Sequence, residues 1–244
     1  MKGEVQQHYD TLLAEHYTWM FGFAFEDKVA EQEALLRAAG VAAPGRALDL
    51  GAGSGFQSFA LAALGATEIV ALDTCAALLR EIEMQRADEA IRCIEADLRT
   101  FDRHVKGTFN TIVCMGDTLT HLTDSLEVKN LFQLVYSRLT PGGRFVVSYR
   151  DLAAAPQGLD RFIPLRSDDN TIMTCFLERV APDKILVHDL VHVRRDGAWR
   201  LNKSAYPKLA LPRDEVLRVA ACAGLNIDYE GAARGMEVLA WRRG

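Results

Sequence analysis

A short apolar run that breaks into three alternating glycines constrains this chain more than anything else in it: residues 46–60 read RALDLGAGSGFQSFA. Residues 47–50 have the length of a buried strand, and 56–64 return to a helix-forming mixture. Strand, tight loop and helix make the unit that sets a nucleotide-like ligand over a helix N-terminus. Gly51, Gly53 and Gly55 let the backbone turn sharply and approach that ligand with no Cβ in between. Alone, such a loop fits a plain turn as well as a ligand cradle. Two carboxylates sharpen it: Asp49, just before the glycines, and Asp73, twenty-two residues beyond Gly51.

Strands and helices alternate around this unit. Strands are expected at 47–50, 68–72, 91–96, 109–115 and 144–149, with helices at 55–64, 75–86 and 126–139, the last closed by Thr140-Pro141-Gly142-Gly143. Such spacing implies parallel pairing with helices on both faces, hence a Rossmann-like, mostly parallel seven-stranded sheet with its ligand at the carboxyl ends of the strands. Strands at 225–230 and 236–242, preceded by a helix at 212–223, complete the sheet as an antiparallel pair. Between the fifth strand and that helix, 171–180, 185–194 and 198–202 read as an antiparallel meander, joined by Ala181-Pro182-Asp183-Lys184 and by Asp196-Gly197. The expected organisation is an N-terminal helical cap over 1–45, a ligand-binding core over 46–150, a β cap or dimerisation insertion over 151–207, and the last helix and strands over 208–244.

Helices are also expected at 5–20 and 25–40. The first carries Val5, Tyr9, Leu12, Leu13, Tyr17 and Met20 at helical intervals, within a stretch rich in aromatics including Trp19. An aromatic stripe docks a helix on a core, and it equally suits a segment that covers a pocket.

The formal charge of -5, with Lys and Arg scattered, does not provide the concentrated positive face that nucleic acids need. Five cysteines, an odd number with no paired spacing, fit reduced thiols and a cytoplasmic location. No run approaches the roughly 18 apolar residues of a membrane span. His188 and His192 share one side of their strand but sit roughly 13 Å apart, too far to hold one ion, so no metal is expected.

Asp73 ends the second strand, where a carboxylate accepts both hydrogens of a ribose diol and repels a 2′-phosphate. Asp97, ending the third strand, is placed to accept from an adenine amino group. The set Asp49-Leu50-Gly51-Ala52-Gly53-Ser54-Gly55, Asp73, Ala96-Asp97-Leu98 and Leu139-Thr140-Pro141-Gly142-Gly143 resembles the class I S-adenosylmethionine-dependent methyltransferases over about 110 residues. The resemblance implies that Gly51, Ala52, Gly53 and Gly55 shape the cleft around the methionine portion, and that Asp49 acts through water or the ammonium group. It implies that Asp73 and Thr74 hold the ribose, that Asp97 and Leu98 hold the adenine, and that Cys114, Met115 and Gly116 line the wall. The stretch Cys114-Met115-Gly116-Asp117-Thr118-Leu119-Thr120-His121-Leu122 is similar to the loop of glycine N-methyltransferase and its small-molecule relatives, where asparagine usually stands at the place of Asp117. Those relatives also carry an N-terminal tyrosine helix, matched by Tyr9 and Tyr17, and an arginine past the fifth strand, matched by Arg150.

The expectation is a methyltransferase for a small-molecule acceptor, with a carboxylate-bearing amine as one candidate, working as a monomer or homodimer. A macromolecular acceptor and a non-catalytic S-adenosylmethionine-binding regulator are the alternatives. His121 or Asp117 would serve as base if one is needed, unless His121 merely bonds to backbone. Arg150, Tyr149, Trp19, His188 and Tyr206 are expected to meet the acceptor, Arg150 as a fork for a carboxylate unless it pairs with Asp151 or Asp117.

Overall fold

The computed structural model describes residues 8, 12, 14–20, 22–85, 90–154 and 156–244. Strands β1 (Arg46–Leu50), β2 (Glu68–Asp73), β3 (Ile91–Glu95), β4 (Phe109–Cys114) and β5 (Leu139–Tyr149) pair in parallel, in the order β5-β4-β1-β2-β3. The last two, β10 (Leu225–Ala233) and β11 (Met236–Arg243), extend the sheet beyond β5, with β11 antiparallel to both neighbours. The seven-stranded order is β10-β11-β5-β4-β1-β2-β3, and the carboxyl ends of β1, β2 and β4 lie side by side. That is where the chain's glycines and acids were expected to meet a ligand.

The crossovers are α3 (Phe56–Ala63), α4 (Ala76–Gln85) and α5 (Ser125–Arg138), with α6 (Arg213–Cys222) leading into β10. Strand alternation feeds a core on each face of the sheet. Leu48, Leu50, Ile112, Phe145, Val147 and Tyr149 go to one side, among Phe132 and Trp241. Ala47, Ile69, Ala71, Val113 and Val146 go to the other, under Leu36, Ala60, Leu61 and Ile82. Before the sheet stand α1 (Ala14–Met20) and α2 (Phe25–Ala38), the latter fixed to α3 by Phe25 against Phe56 and Phe59. Of the helix expected over 5–20, residues 8, 12 and 14–20 are described and the others lie outside the described residues.

The insertion is a separate antiparallel sheet of four strands, β6 (Phe162–Ser167), β7 (Thr171–Ala181), β8 (Lys184–Arg195) and β9 (Ala198–Leu209), in that order. The sequence suggests only three, and ends the last at residue 202. Pro164 and Pro207 are the reason: proline argues against a strand, yet edge strands tolerate it, and β6 and β9 are the two edges. The extra seven residues of β9 bring Lys208 and Leu209 to the core domain. Residues Met173, Cys175, Leu177, Ile185, Val187, Val191 and Tyr206 make the buried face of this sheet. Leu12 of the N-terminal segment packs against Met173 and Val191.

Trp241 of β11 is fully buried, 5.6 Å from the Phe132 ring and 5.8 Å from Phe145. Trp241→Ala should cost about 3–5 kcal/mol in urea unfolding. A loss below about 1 kcal/mol would contradict this packing.

Candidate active site

The chain leaves β1 at Leu50 and reverses through the glycine turn. The N–H groups of Gly51 and Ala52 both donate to the Leu72 carbonyl, at 2.8 and 3.0 Å, which ties the turn to the end of β2. Gly51 has φ 75°, and a Cβ there would fall 2.2 Å from Thr118 Cγ2; Gly53 has φ 55° and lies beneath the Tyr17 ring, whose nearest atom would be 3.4 Å from an added Cβ. Both positions need left-handed backbone and close approach, which only glycine supplies without strain. Gly55 instead faces Ile82 of α4 and makes room for that helix.

These elements enclose one cavity of about 370 Å³, within the size range of small-molecule and cofactor sites. Its floor is Gly51, Gly53, Leu72, Asp73 and Thr74, and Asp97, Leu98 and Arg99 close one end. Gly116, Thr118 and His121 come from the loop after β4, Tyr17 from the lid, and Lys184, Pro207, Lys208 and Leu209 from the insertion. The structure therefore brings Tyr17, Gly51, Gly53, Asp73, Thr74, Asp97, Leu98, Gly116 and His121 together as expected. The call on Tyr9 lies outside the described residues.

The Asp73 carboxylate accepts from the backbone N–H groups of Gly53 (2.9 Å) and Cys75 (2.8 Å). Burial pushes this carboxyl up and the N–H groups of Cys75, Gly53 and Thr74 oppose the rise. An ionised carboxylate offers about four lone-pair sites, so these backbone bonds leave capacity for a ribose hydroxyl in the cavity. Asp97 caps the turn after β3, accepting from the Arg99 N–H at 2.8 Å and from its guanidinium at 2.5–3.0 Å. Burial would raise this carboxyl, but the Arg99 bonds prevail and hold it low. Arg99, which also reaches Glu127 at 2.9 Å, is a cavity residue the sequence reading passed over.

Asp49 corrects an expectation. It shares a strand face with Ala47, so its carboxylate points to α3 and accepts from Ser58 Oγ at 2.7 Å, beneath the turn and away from the cavity. The same alternation sends Cys114 and Tyr149 into one core and Met115 and Ala52 into the other. None of the four lines the cavity, so the expected wall and substrate roles of Cys114, Met115, Ala52 and Tyr149 are corrected to packing roles. Burial pushes the Cys114 thiol and the Tyr149 hydroxyl up.

Two of the expected acceptor contacts are also elsewhere. Trp19 Nε1 donates to Asp168 Oδ2 at 2.8 Å, with the Arg166 guanidinium over its ring, so it fastens the lid to the insertion. His188 lies on the outer face of β8, 2.9 Å from Glu178. Asp189, on the opposite side of the strand, is buried and 3.0 Å from His8 Nε2. Tyr206, expected at the site, is buried between the rings of His8 (4.3 Å) and His121 (5.5 Å). It stands behind His121 and outside the cavity lining.

Asp117, with φ 78°, is almost fully buried. Its carboxylate accepts from the Arg150 N–H at 2.7 Å, the Arg150 guanidinium at 3.1 Å and Lys208 Nζ at 2.5 Å. Burial would raise this carboxyl, but Lys208 and then Arg150 outweigh it and hold it well below the ordinary range. Asp117 is thus a poor proton acceptor, and Arg150 pairs with it outside the cavity lining. His121 is pushed down to about 3 by burial, then by the Lys208 charge, so it is neutral at physiological pH and a weak base. Both expected bases are corrected on these grounds. Lys208 had one signal in the sequence, an isolated cation beside Pro207, and the misplaced end of β9 hid it. Among the described residues no group of three or more His, Cys, Asp or Glu side chains could hold a metal ion, and no helix is long and apolar enough to cross a membrane.

This sheet order and glycine turn define a protein class. A family described as "Methyltransferase domain" matches residues 47–143. Residues 47–143 are thus similar to that family, and the chain has the class I S-adenosylmethionine-dependent methyltransferase fold. Over part of its length it is related to small-molecule, glycine/sarcosine-type N-methyltransferases. The glycine/sarcosine N-methyltransferase of Halorhodospira halochloris is 28% identical over 108 residues, 43% of this chain and 40% of the relative. The cypemycin N-terminal methyltransferase of a Streptomyces species is 34% identical over 108 residues, 43% of this chain and 42% of the relative. The matches thus span less than half the length of these curated relatives. Among solved structures, DesVI of Streptomyces venezuelae superposes with a TM-score of 0.73 at 16% identity, covering 100% of both chains. CalS10 of Micromonospora echinaspora, an amino pentose methyltransferase, gives 0.73 at 19% identity, covering 95% of this chain and 97% of that one.

Burial pushes the Asp49 carboxyl from an ordinary 3.8 up to about 7, against the Ser58 bond and helped by Asp73. The folded state therefore holds this proton more tightly than the unfolded state. Its contribution favours folding below about pH 4 and is lost as pH rises to about 7. Measured by urea unfolding, the wild type should lose stability relative to Asp49→Asn across that window, on the order of 4 kcal/mol. Parallel pH profiles would contradict the burial of an ionisable group at this position.

Proposed function

We propose that this chain transfers a methyl group from S-adenosylmethionine to the amine of a small molecule that also bears a carboxylate. The observation that carries the reading is the floor of the cavity, where the glycine turn and the Asp73 carboxylate face the same space under Tyr17. Gly51 and Gly53 keep that floor flat, Asp73 offers lone pairs to a ribose diol, and Leu72, Leu78, Ala96 and Leu98 give apolar surface beside Asp97 for a base. When bound, S-adenosylmethionine supplies a methyl group already activated by its sulfonium charge. The chain's own part is to orient the acceptor, exclude water and govern protons. Tyr17 closes the floor, and burial followed by the Asp73 charge keeps its phenol protonated. His121 is neutral and can accept a hydrogen bond from an amine without being a strong enough base to take its proton. The acceptor therefore enters as the neutral amine, and rate comes from positioning.

The insertion acts in this reading as a cap, because Pro207, Lys208 and Leu209 form a wall of the cavity. A wall of that kind supports a small enclosed acceptor over a macromolecular one. A cytoplasmic location and the absence of a nucleic-acid partner belong to the same reading and rest on the cysteine spacing and net charge.

Incubation with S-adenosylmethionine and a pool of amino acids and N-methylamino acids should give products heavier by one CH2 in mass spectra. Conversion of protein or nucleic acid alone would contradict the reading. The acid limb of the kcat/KM profile should follow the pKa of the amine used, and should stay in place in His121→Asn even where kcat falls. A limb that disappears in this variant would restore His121 as the base.

A further inference from the structure

The cavity wall on the acceptor side holds more positive than negative charge. Asp117 is the carboxylate to which both Lys208 Nζ, at 2.5 Å, and the Arg150 guanidinium, at 3.1 Å, are paired. Two cations on one carboxylate leave one unit of positive charge uncompensated. The two cations are not equivalent. The Lys208 side chain is 10% exposed and lines the cavity, whereas that of Arg150 is 50% exposed and does not. An ammonium has three donors and Asp117 takes one of them. Among the described residues the neighbours of Lys208 do not absorb the surplus: His121 is neutral, the Tyr206 ring, 5.9 Å from Nζ, holds its proton because burial, then Asp189, pushes the phenol well up, and the Asp189 carboxylate itself is taken by His8 at 3.0 Å. Lys184 adds a cation of the same sign along the insertion's edge of the cavity, with no carboxylate paired to it among the described residues.

We propose that Lys208, oriented by Asp117 and left in charge surplus by Arg150, is the residue that receives the acceptor's carboxylate. The arginine past β5, the obvious fork, has the other task of neutralising Asp117. The inference rests on the proposed methyltransferase reading and narrows it. A wall of this sign favours an amino acid-like acceptor and disfavours a cationic amino sugar without an acidic group. It also disfavours the protonated form of the amine, which keeps the attacking lone pair available.

The test uses the full chain loaded with S-adenosylhomocysteine, titrated calorimetrically with N,N-dimethylglycine and with its methyl ester, which lacks the carboxylate charge, the two compared at equal concentrations of neutral amine. Two double variants of equal net charge locate the effect: Asp117→Asn with Lys208→Gln keeps only Arg150, and Asp117→Asn with Arg150→Gln keeps only Lys208. Neither leaves a carboxylate buried without a cation. The wild type should bind the acid at least tenfold more tightly than the ester. That preference should fall below about twofold when Lys208 is lost and persist when Arg150 is lost. No difference between acid and ester in the wild type, including binding of neither, overturns the proposal, as does a preference that follows Arg150. Failure of the S-adenosylhomocysteine loading itself would strike the methyltransferase reading instead.

Discussion

The Asp117 carboxylate is the contact through which the two sheets of this protein become one site. It sits on the loop after β4, takes the N–H and guanidinium of Arg150 just past β5, and takes Lys208 from the end of β9. A buried charge with one partner removed costs several kcal/mol, so the carboxylate demands both its cations and holds the insertion down on the core. The loop itself is pinned, with the Gly116 N–H on Ser148 Oγ at 3.0 Å and the Asp117 N–H on the Ser148 carbonyl at 3.1 Å. The wall of Pro207, Lys208 and Leu209 follows from that anchoring, as does the burial that, with the Lys208 charge, keeps His121 neutral.

The two halves of the cavity are built by different means. The floor is main chain and glycine, braced by Leu72 and Asp73, and depends on the geometry that any parallel sheet of this order provides at its carboxyl edge. The opposite wall is made of side chains from an inserted sheet and a lid. Chains with the same fold can therefore share the floor and differ in what they methylate. In this chain that wall carries Lys208, paired to Asp117 at 2.5 Å.

Much of the architecture is legible in the sequence, because 46–149 alternates short apolar runs with helical stretches and places an acid or glycine at the strand ends. The misses have two physical origins. The first is parity: successive strand residues face opposite ways, so their places at or beside the carboxyl ends of strands made Asp49, Cys114, Met115 and Tyr149 look like site residues when their side chains belong to the cores. The second is proline at sheet edges, which hid β6 and the end of β9 and, with it, Lys208. Asp117 is instructive in another way. Aspartate and asparagine are among the non-glycine residues best suited to its left-handed backbone, so the turn alone would accept either. The carboxylate charge is what this chain adds, and only the folded structure shows the two cations that balance it.

The central claim is that the cavity between the glycine turn and Tyr17 holds S-adenosylmethionine and its product. Calorimetric titration of the wild-type chain with S-adenosylhomocysteine tests it most directly. The structure predicts saturable binding at a single site, weakened at least tenfold by Asp73→Ala, which removes the carboxylate that faces the ribose position. No heat of binding at about 1 mM ligand, or binding indifferent to Asp73, would contradict the account.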